Sequence, residues 1–191
     1  EGNFLGFFAV DCRTFYSLAF RMVLAREETP SEQALKGLNH NVVRILTQFW
    51  NDASSAITLD THGHCSRAQN MVTRARHVQE AKRVWADMIA RIRPFTHQAY
   101  LKFFCFHPMY VAKTMERYEC IIVDEAQDIP PCFLQFLYNI AYNGMCVFLV
   151  GDPSQQIYNF AGTASAFGTA PPFIEERVTI VDYFLTQSFR F

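Results

Sequence analysis

The chain lacks an excess of charge of either sign: its 191 residues carry 17 Lys and Arg against 18 Asp and Glu, a formal net charge of −1. A globally basic nucleic-acid binder is excluded, so any such contact must be local and partly aromatic. No apolar run approaches the roughly 20 residues that cross a bilayer as a helix. The amino terminus has no Met and no basic segment leading into an apolar core and a small-residue cleavage site, so it reads as the interior of a longer protein. Internal repeats and low-complexity tracts are missing too. The 6 cysteines, at 12, 65, 105, 120, 132 and 146, include no C-x-x-C pair, and several lie in apolar runs. They read as reduced, buried thiols of an intracellular protein. Metal ligands crowd only at His62-Gly63-His64-Cys65. With no second cluster at a matching distance, a polar loop is the first reading and a zinc site the second.

What is present is an ordinary globular composition, 50% hydrophobic and 18% charged, with 19 Phe and 8 Tyr to fill a core. The length suits one sizeable domain, or one domain carrying an insertion. Residues 4–10 suit a buried strand, and residues 11–17 lead into a helix running to about Ala25. Thr29-Pro30-Ser31-Glu32 reads as a capping box, with Thr29 as N-cap. The helix it opens puts Leu35, Leu38, Val42, Leu46 and Phe49 on one face. Residues 52–66 read as a polar loop. A second amphipathic helix spans about 68–91, with Val78, Ala81, Trp85, Met88 and Ile92 in register, and Pro94 ends it. Residues 95–106 read as helical and 118–124 as a strand. Asp128 caps a helix begun by Pro130 and Pro131, which stops at Asn143-Gly144. Residues 145–150 and 178–185 complete a set of strands. Helices between 30 and 94 therefore interrupt an α/β pattern, as an insertion does.

The strand ending in Val123-Asp124-Glu125-Ala126-Gln127-Asp128 carries the sharpest signal. Open α/β sheets bind ligands at the carboxyl ends of their strands. A carboxylate there can hold Mg²⁺ while its neighbour polarises water. The partner such chemistry requires is a phosphate-cradling G-x-x-x-x-G-K-[ST] loop, and that loop occurs nowhere in the sequence. Two further polar segments follow the other apolar runs, Gly151-Asp152-Pro153-Ser154-Gln155-Gln156-Ile157-Tyr158-Asn159-Phe160 and Thr186-Gln187-Ser188-Phe189-Arg190.

In this order the three segments resemble the superfamily 1 helicases of the UvrD/Rep type, and within them the F-box DNA helicase branch. Asp11 through Phe20 is similar to that branch's Cys-Lys-Thr-Phe-His-Ser segment. Thr96 through Lys102 is similar to its Thr-His-Asp-x-Tyr-Leu-Lys segment. The match is dense from Tyr118 to Phe191, patchy at Asp11 to Phe20 and Val84 to Phe104, and absent across the helical insertion.

The resemblance implies a partial RecA-like P-loop NTPase sheet, formed by residues 1–29 and 96–191, with residues 30–95 inserted. The second part holds helicase motifs II, III and IV. ATP and Mg²⁺ are the implied ligands. Asp124 would hold the metal, with Glu125 beside it as general base or water-positioner. Gln155 would sense the γ-phosphate, Gln127 would link the ATP site to the DNA edge, and Arg190 would act as an arginine finger in cis. Single-stranded DNA would meet Thr14, Phe15, Tyr16 and Ser17 through phosphates. It would stack on Tyr158 and Phe160, for which core packing is the rival reading. His97 and Tyr100 read as structural.

Several positions depart from the family pattern. Ala161 stands where an Arg is usual, Tyr16 where His is, and Gln98 where Asp is. The P-loop, the second motor domain and the F-box lie outside the chain. The expectation is therefore a segment of an ATP-dependent 3′ to 5′ DNA translocase or helicase of repair or recombination control, nuclear by resemblance and unable to hydrolyse ATP unaided. Ubiquitin-ligase or recombination proteins would bind through regions outside it. The alternatives are a degenerate, non-catalytic nucleic-acid or protein-binding relative, and an ATPase that remodels protein–DNA complexes.

Overall fold

A computed structural model describes residues 10–24, 28–155, 166–168 and 170–184. Two compact units divide the chain, one of residues 1–50 and 56–105, the other of residues 51–55 and 106–191.

The described part of the first unit is helical. Helix α1 (Phe15–Val23) begins at Thr14, whose side chain accepts a hydrogen bond from the Ser17 amide. Thr29 does not cap the next element. Ser31 does, taking the Gln33 amide on its hydroxyl and opening only a 3-10 turn, Glu32–Leu35. The backbone then breaks at Gly37, where φ is +80°. Asn39 restarts it, its side chain accepting from the Asn41 amide at 2.9 Å, and α2 (His40–Asn51) follows. One expected helix is thus two elements, because glycine in the left-handed region ends a helical turn that hydrophobic spacing alone would extend. Val42, Leu46 and Phe49 face inward as expected.

The expected loop at 52–66 contains α3 (Leu59–His62) and a 3-10 turn, Gly63–Cys65. His62 is fully buried, accepts from the Thr58 amide at 3.3 Å, and sits edge-on to Phe49. The ring is a packing element. Helix α4 (Met71–Ile89) is capped by Asn70 and buries Val78, Ala81, Val84 and Met88. Val84 takes the inward place expected of Trp85, which lies half-buried among Phe49, Phe95 and Phe103 with centroids 5.5, 6.1 and 6.4 Å away. Ile92 falls beyond the helix and is exposed. Helix α5 (His97–Phe106) is capped by buried Thr96, whose hydroxyl accepts from the Ala99 amide at 3.2 Å. Its Lys102 is fully buried, with Nζ 4.4 Å from the centre of the Phe49 ring. A cation over an aromatic face recovers part of what burial costs it.

The second unit contains a small α/β arrangement. Helix α6 (Pro108–Arg117), for which the sequence pattern predicts no element, starts at His107, whose ring accepts from the Met109 amide. Strand β1 (Cys120–Val123) runs parallel to β2 (Cys146–Leu149), in the register Cys120 to Cys146 through Val123 to Leu149. Helix α7 (Pro131–Tyr142) connects them and packs on both α6 and β2. A parallel pair needs such a crossover. Gly144 (φ +97°) turns the chain out of α7 as Asn143-Gly144 suggested.

Asp128 does not cap α7. Pro130 occupies that position without a side-chain bond, and Asp128 ends a 3-10 turn, Ala126–Asp128, too far back to reach the first helical amides. Residues 178–184 form no strand, and Ile180, Val181, Tyr183 and Phe184 are exposed. Among the described residues β1 and β2 pair only with each other, and an apolar run without a ladder partner has nowhere to place its backbone hydrogen bonds. The expected strand at 4–9 and residue 185 lie outside the described residues. Cys65, Cys105 and Cys132 are buried, but Cys12 and Cys146 are exposed. Cys146 opens the sheet face that also exposes Ile122 and Phe148. The described residues therefore make a mixed, helix-rich α/β protein with a two-stranded parallel sheet.

Candidate functional site

Both strands end in carboxylates, and the backbone brings those ends together. The ladder continues past β1 and β2, with the Val150 amide on the Val123 carbonyl at 2.8 Å and the Ala126 amide on the Val150 carbonyl at 2.9 Å. Asp124 and Glu125 leave the sheet there, both exposed, and neither has an ion-pair partner among the described residues. The Glu125 amide donates to Asp124 Oδ1 at 3.0 Å. Glu125 itself adopts φ 51° and ψ 42°. A left-handed backbone costs a residue with a Cβ about 1–3 kcal/mol, and such conformations concentrate at functional sites.

Gln127 ties the first strand end to the second. It is buried, with 3% of its surface exposed. Its Nε2 donates to Glu125 Oε2 at 2.6 Å, and its Oε1 accepts from the Asp152 amide at 3.2 Å. This crossing explains Gly151. A Cβ there would collide with Gln127 Oε1 and come within 3.0 Å of the Ala126 nitrogen and 3.1 Å of Phe167. Only glycine lets the two strand ends approach so closely.

Asp152 organises the turn that follows. Its Oδ1 accepts from the Ser154 amide at 2.9 Å and the Ser154 hydroxyl at 2.5 Å, and its Oδ2 accepts from Gln155 Nε2 at 2.7 Å. These bonds, from the Ser154 side chain first and then the Gln155 side chain and Ser154 backbone, hold the Asp152 carboxyl below its ordinary value. Sequence reasoning assigned Asp152 no role. The signal was the Asp-x-Ser spacing, in which an acidic side chain reaches an amide two residues on.

Asp124, Glu125, Gln127 and Gln155 therefore share one hydrogen-bonded strand-end cluster. Tyr158, Phe160 and Arg190 lie outside the described residues. So does Ala161.

Thr14, Phe15, Tyr16 and Ser17 belong to the first unit. Thr14 is exposed and caps α1, while the other three are half-buried. Tyr16 packs edge-on against His97 and Tyr100, with centroids 6.4 and 6.2 Å away, and Phe20 adds a third ring to Tyr100 at 6.0 Å. His97 Nδ1 and the Tyr100 hydroxyl lie 3.2 Å apart. Tyr100 is buried and His97 exposed. Tyr16 thus docks α1 onto α5, which leaves the Thr14 end of the segment outward. Among the described residues no three His, Cys, Asp or Glu side chains gather to hold a metal, at His62 to Cys65 or elsewhere.

The model of the UvrD/REP helicase N-terminal domain family matches residues 26–167. F-box DNA helicase 1 of Gallus gallus is 30% identical across 95% of this chain and 20% of its own length. F-box DNA helicase protein 1 of Schizosaccharomyces pombe is 24% identical across 84% of this chain and 22% of its own. The chain spans about a fifth of the length of these relatives. No solved structure matches it. With most of its residues covered by that model, the strand-end cluster included, the chain belongs to the UvrD/REP helicase N-terminal domain family.

Proposed function

We propose that this chain is part of an ATP-dependent DNA translocase or helicase and carries the hydrolytic edge of a RecA-like motor domain, with residues 30–95 as a helical insertion. The observation that carries the reading is the convergence of Asp124, Glu125, Gln127 and Gln155 at the ends of two parallel strands. Asp124 and Glu125 are hard oxygen donors, exposed and unpaired with any described cation, which suits Mg²⁺. Bound with nucleotide, that ion would supply positive charge to offset that of the phosphates. Asp124 would hold it. Glu125, steadied by Gln127 through one carboxylate oxygen, orients the attacking water and accepts its proton. Gln155 presents its amide to the γ-phosphate, and Arg190 offsets charge on the group in transfer.

Thr14 to Ser17 contribute phosphate contacts to single-stranded DNA, and Tyr158 and Phe160 contribute stacking. Movement is 3′ to 5′. The whole protein acts in the nucleus, in repair or recombination control, and meets ubiquitin-ligase or recombination proteins through regions beyond this chain, as the F-box in the relatives' names suggests. Hydrolysis requires the P-loop and second motor domain of the full-length protein, so this polypeptide alone is inactive.

The test is Glu125→Gln in the full-length protein. DNA-stimulated ATP hydrolysis is expected to fall by about 10²- to 10⁴-fold while single-stranded DNA binding persists. Unchanged hydrolysis would reject the reading. Ala161, at a position where the family usually has Arg, favours a weaker grip on DNA, and with it a remodeller of protein–DNA complexes or a non-catalytic binder. Wild-type hydrolysis at the Glu125→Gln level would select the binder. Protein eviction without strand displacement would select the remodeller.

A further inference from the structure

The second strand end holds a carboxylate that the proposed chemistry leaves unused. We infer that Asp152 is a positioning residue that sets the orientation of the Gln155 amide and, through Gln127, couples it to Glu125; the inference rests on the hydrolytic reading of this site.

The geometry is a continuous path. Glu125 Oε2 receives Gln127 Nε2, Gln127 Oε1 receives the Asp152 amide, and Asp152 Oδ2 receives Gln155 Nε2, at 2.6, 3.2 and 2.7 Å. The path joins the water-orienting carboxylate to the phosphate-sensing amide through two residues, one of them buried.

An ionised carboxylate only accepts hydrogen bonds. Facing Asp152, the Gln155 amide can therefore turn only its nitrogen side inward. The flipped amide would set two oxygens against each other. This fixes where the second N–H and the Oε1 of Gln155 point, one donor and one acceptor on the side away from Asp152. A γ-phosphate needs the donor and an attacking water the acceptor, so a defined amide polarity serves both at once. Asp152 cannot easily surrender the role, because the Ser154 amide and hydroxyl pin its other oxygen. Those same bonds make it a poor metal ligand, since both its oxygens are already engaged by protein donors. Asp124 and Glu125 each have only one oxygen engaged by a described donor.

A merely structural Asp152 would serve the turn alone, and asparagine separates the two roles. Asp152→Asn keeps an oxygen for Ser154, preserving the turn. It offers an N–H₂ where Oδ2 stood, which reverses the Gln155 amide. In the full-length protein, kcat for DNA-stimulated ATP hydrolysis is expected to fall about 10- to 100-fold in Asp152→Asn, the range seen when residues behind a functional group are altered. KM for ATP should stay within about threefold, since the loss falls on the transition state. In a Gln155→Ala background the same substitution should add nothing, because its effect runs through that amide.

Ser154→Ala is the second variant, removing one donor to Oδ1 while keeping the backbone bond. It should lower kcat by less, and again only when Gln155 is present. Wild-type kcat in Asp152→Asn, or losses that multiply in the Gln155→Ala background, would overturn the inference. Glu125→Gln run alongside tells the two failures apart. If it abolishes hydrolysis while Asp152→Asn does not, the site reading stands and the positioning role falls. If Glu125→Gln leaves hydrolysis unchanged, the site reading falls and takes the positioning role with it.

Discussion

The two units use their polar residues in opposite ways. In the helical unit the unusual polar groups are turned inward and committed to packing: His62 lies edge-on to Phe49, Thr96 caps α5, and Lys102 sits over an aromatic face. In the strand-bearing unit Asp124 and Glu125 sit at the rim, and among the described residues there the one buried side-chain amide, Gln127, bonds to a side chain and a backbone group of the same rim. A polar group that completes a core is fixed by its neighbours. One that ends a strand is held by few bonds and remains open to a ligand. Motif residues of similar appearance therefore differ in kind, and Tyr16 with Tyr100 belongs with the packing set although its segment resembles a DNA-contacting one.

Substitutions should divide along the same line. The largest stability loss is expected from Phe104→Ala, which empties a fully buried site in α5 and should cost about 3–5 kcal/mol in denaturant unfolding. A loss below about 1 kcal/mol would mean that the helical unit is not packed as described. Gly151→Ala should cost less, about 1–3 kcal/mol, by forcing Gln127 away from the strand end. On the proposed function it should also lower ATP hydrolysis by the full-length protein, so a variant that kept full ATPase activity would break the link between close approach and function. The smallest effect should come from acid. Asp152 titrates below the ordinary aspartate value, so its turn is fully held above about pH 4 and released only as pH falls through that depressed value. An NMR pH titration following the Ser154 amide should show no release between about pH 5 and 8, and a midpoint in that window would contradict the bonding described.

How much of this was legible in the sequence follows from what sets each feature. Asp124 and Glu125 could be placed because an apolar run that stops at two acids leaves few other arrangements. The Asn143-Gly144 stop was legible from residue type alone. The break at Gly37 was not, since the hydrophobic spacing runs straight across it and only the backbone angle decides. Asp128 looked like a cap because it stands near two prolines, yet the helix begins only at Pro131, with Pro130 in the cap position. The apolar run at 178–184 looked like a strand, but pairing depends on a neighbour that local pattern cannot supply. The roles of Gln127 and Asp152 depend on contacts across about 25 positions of sequence, beyond the reach of motif spacing. Family resemblance named candidate residues and not the bonds between them.

The left-handed backbone at Glu125 has a consequence for how the position evolves. Glycine would adopt that conformation without strain, and it would relieve about 1 kcal/mol that the glutamate imposes on the fold. Foldability alone therefore pushes this site away from a carboxylate. On the proposed function the glutamate serves through its side chain, and a relative that had abandoned hydrolysis would be free to become more stable there.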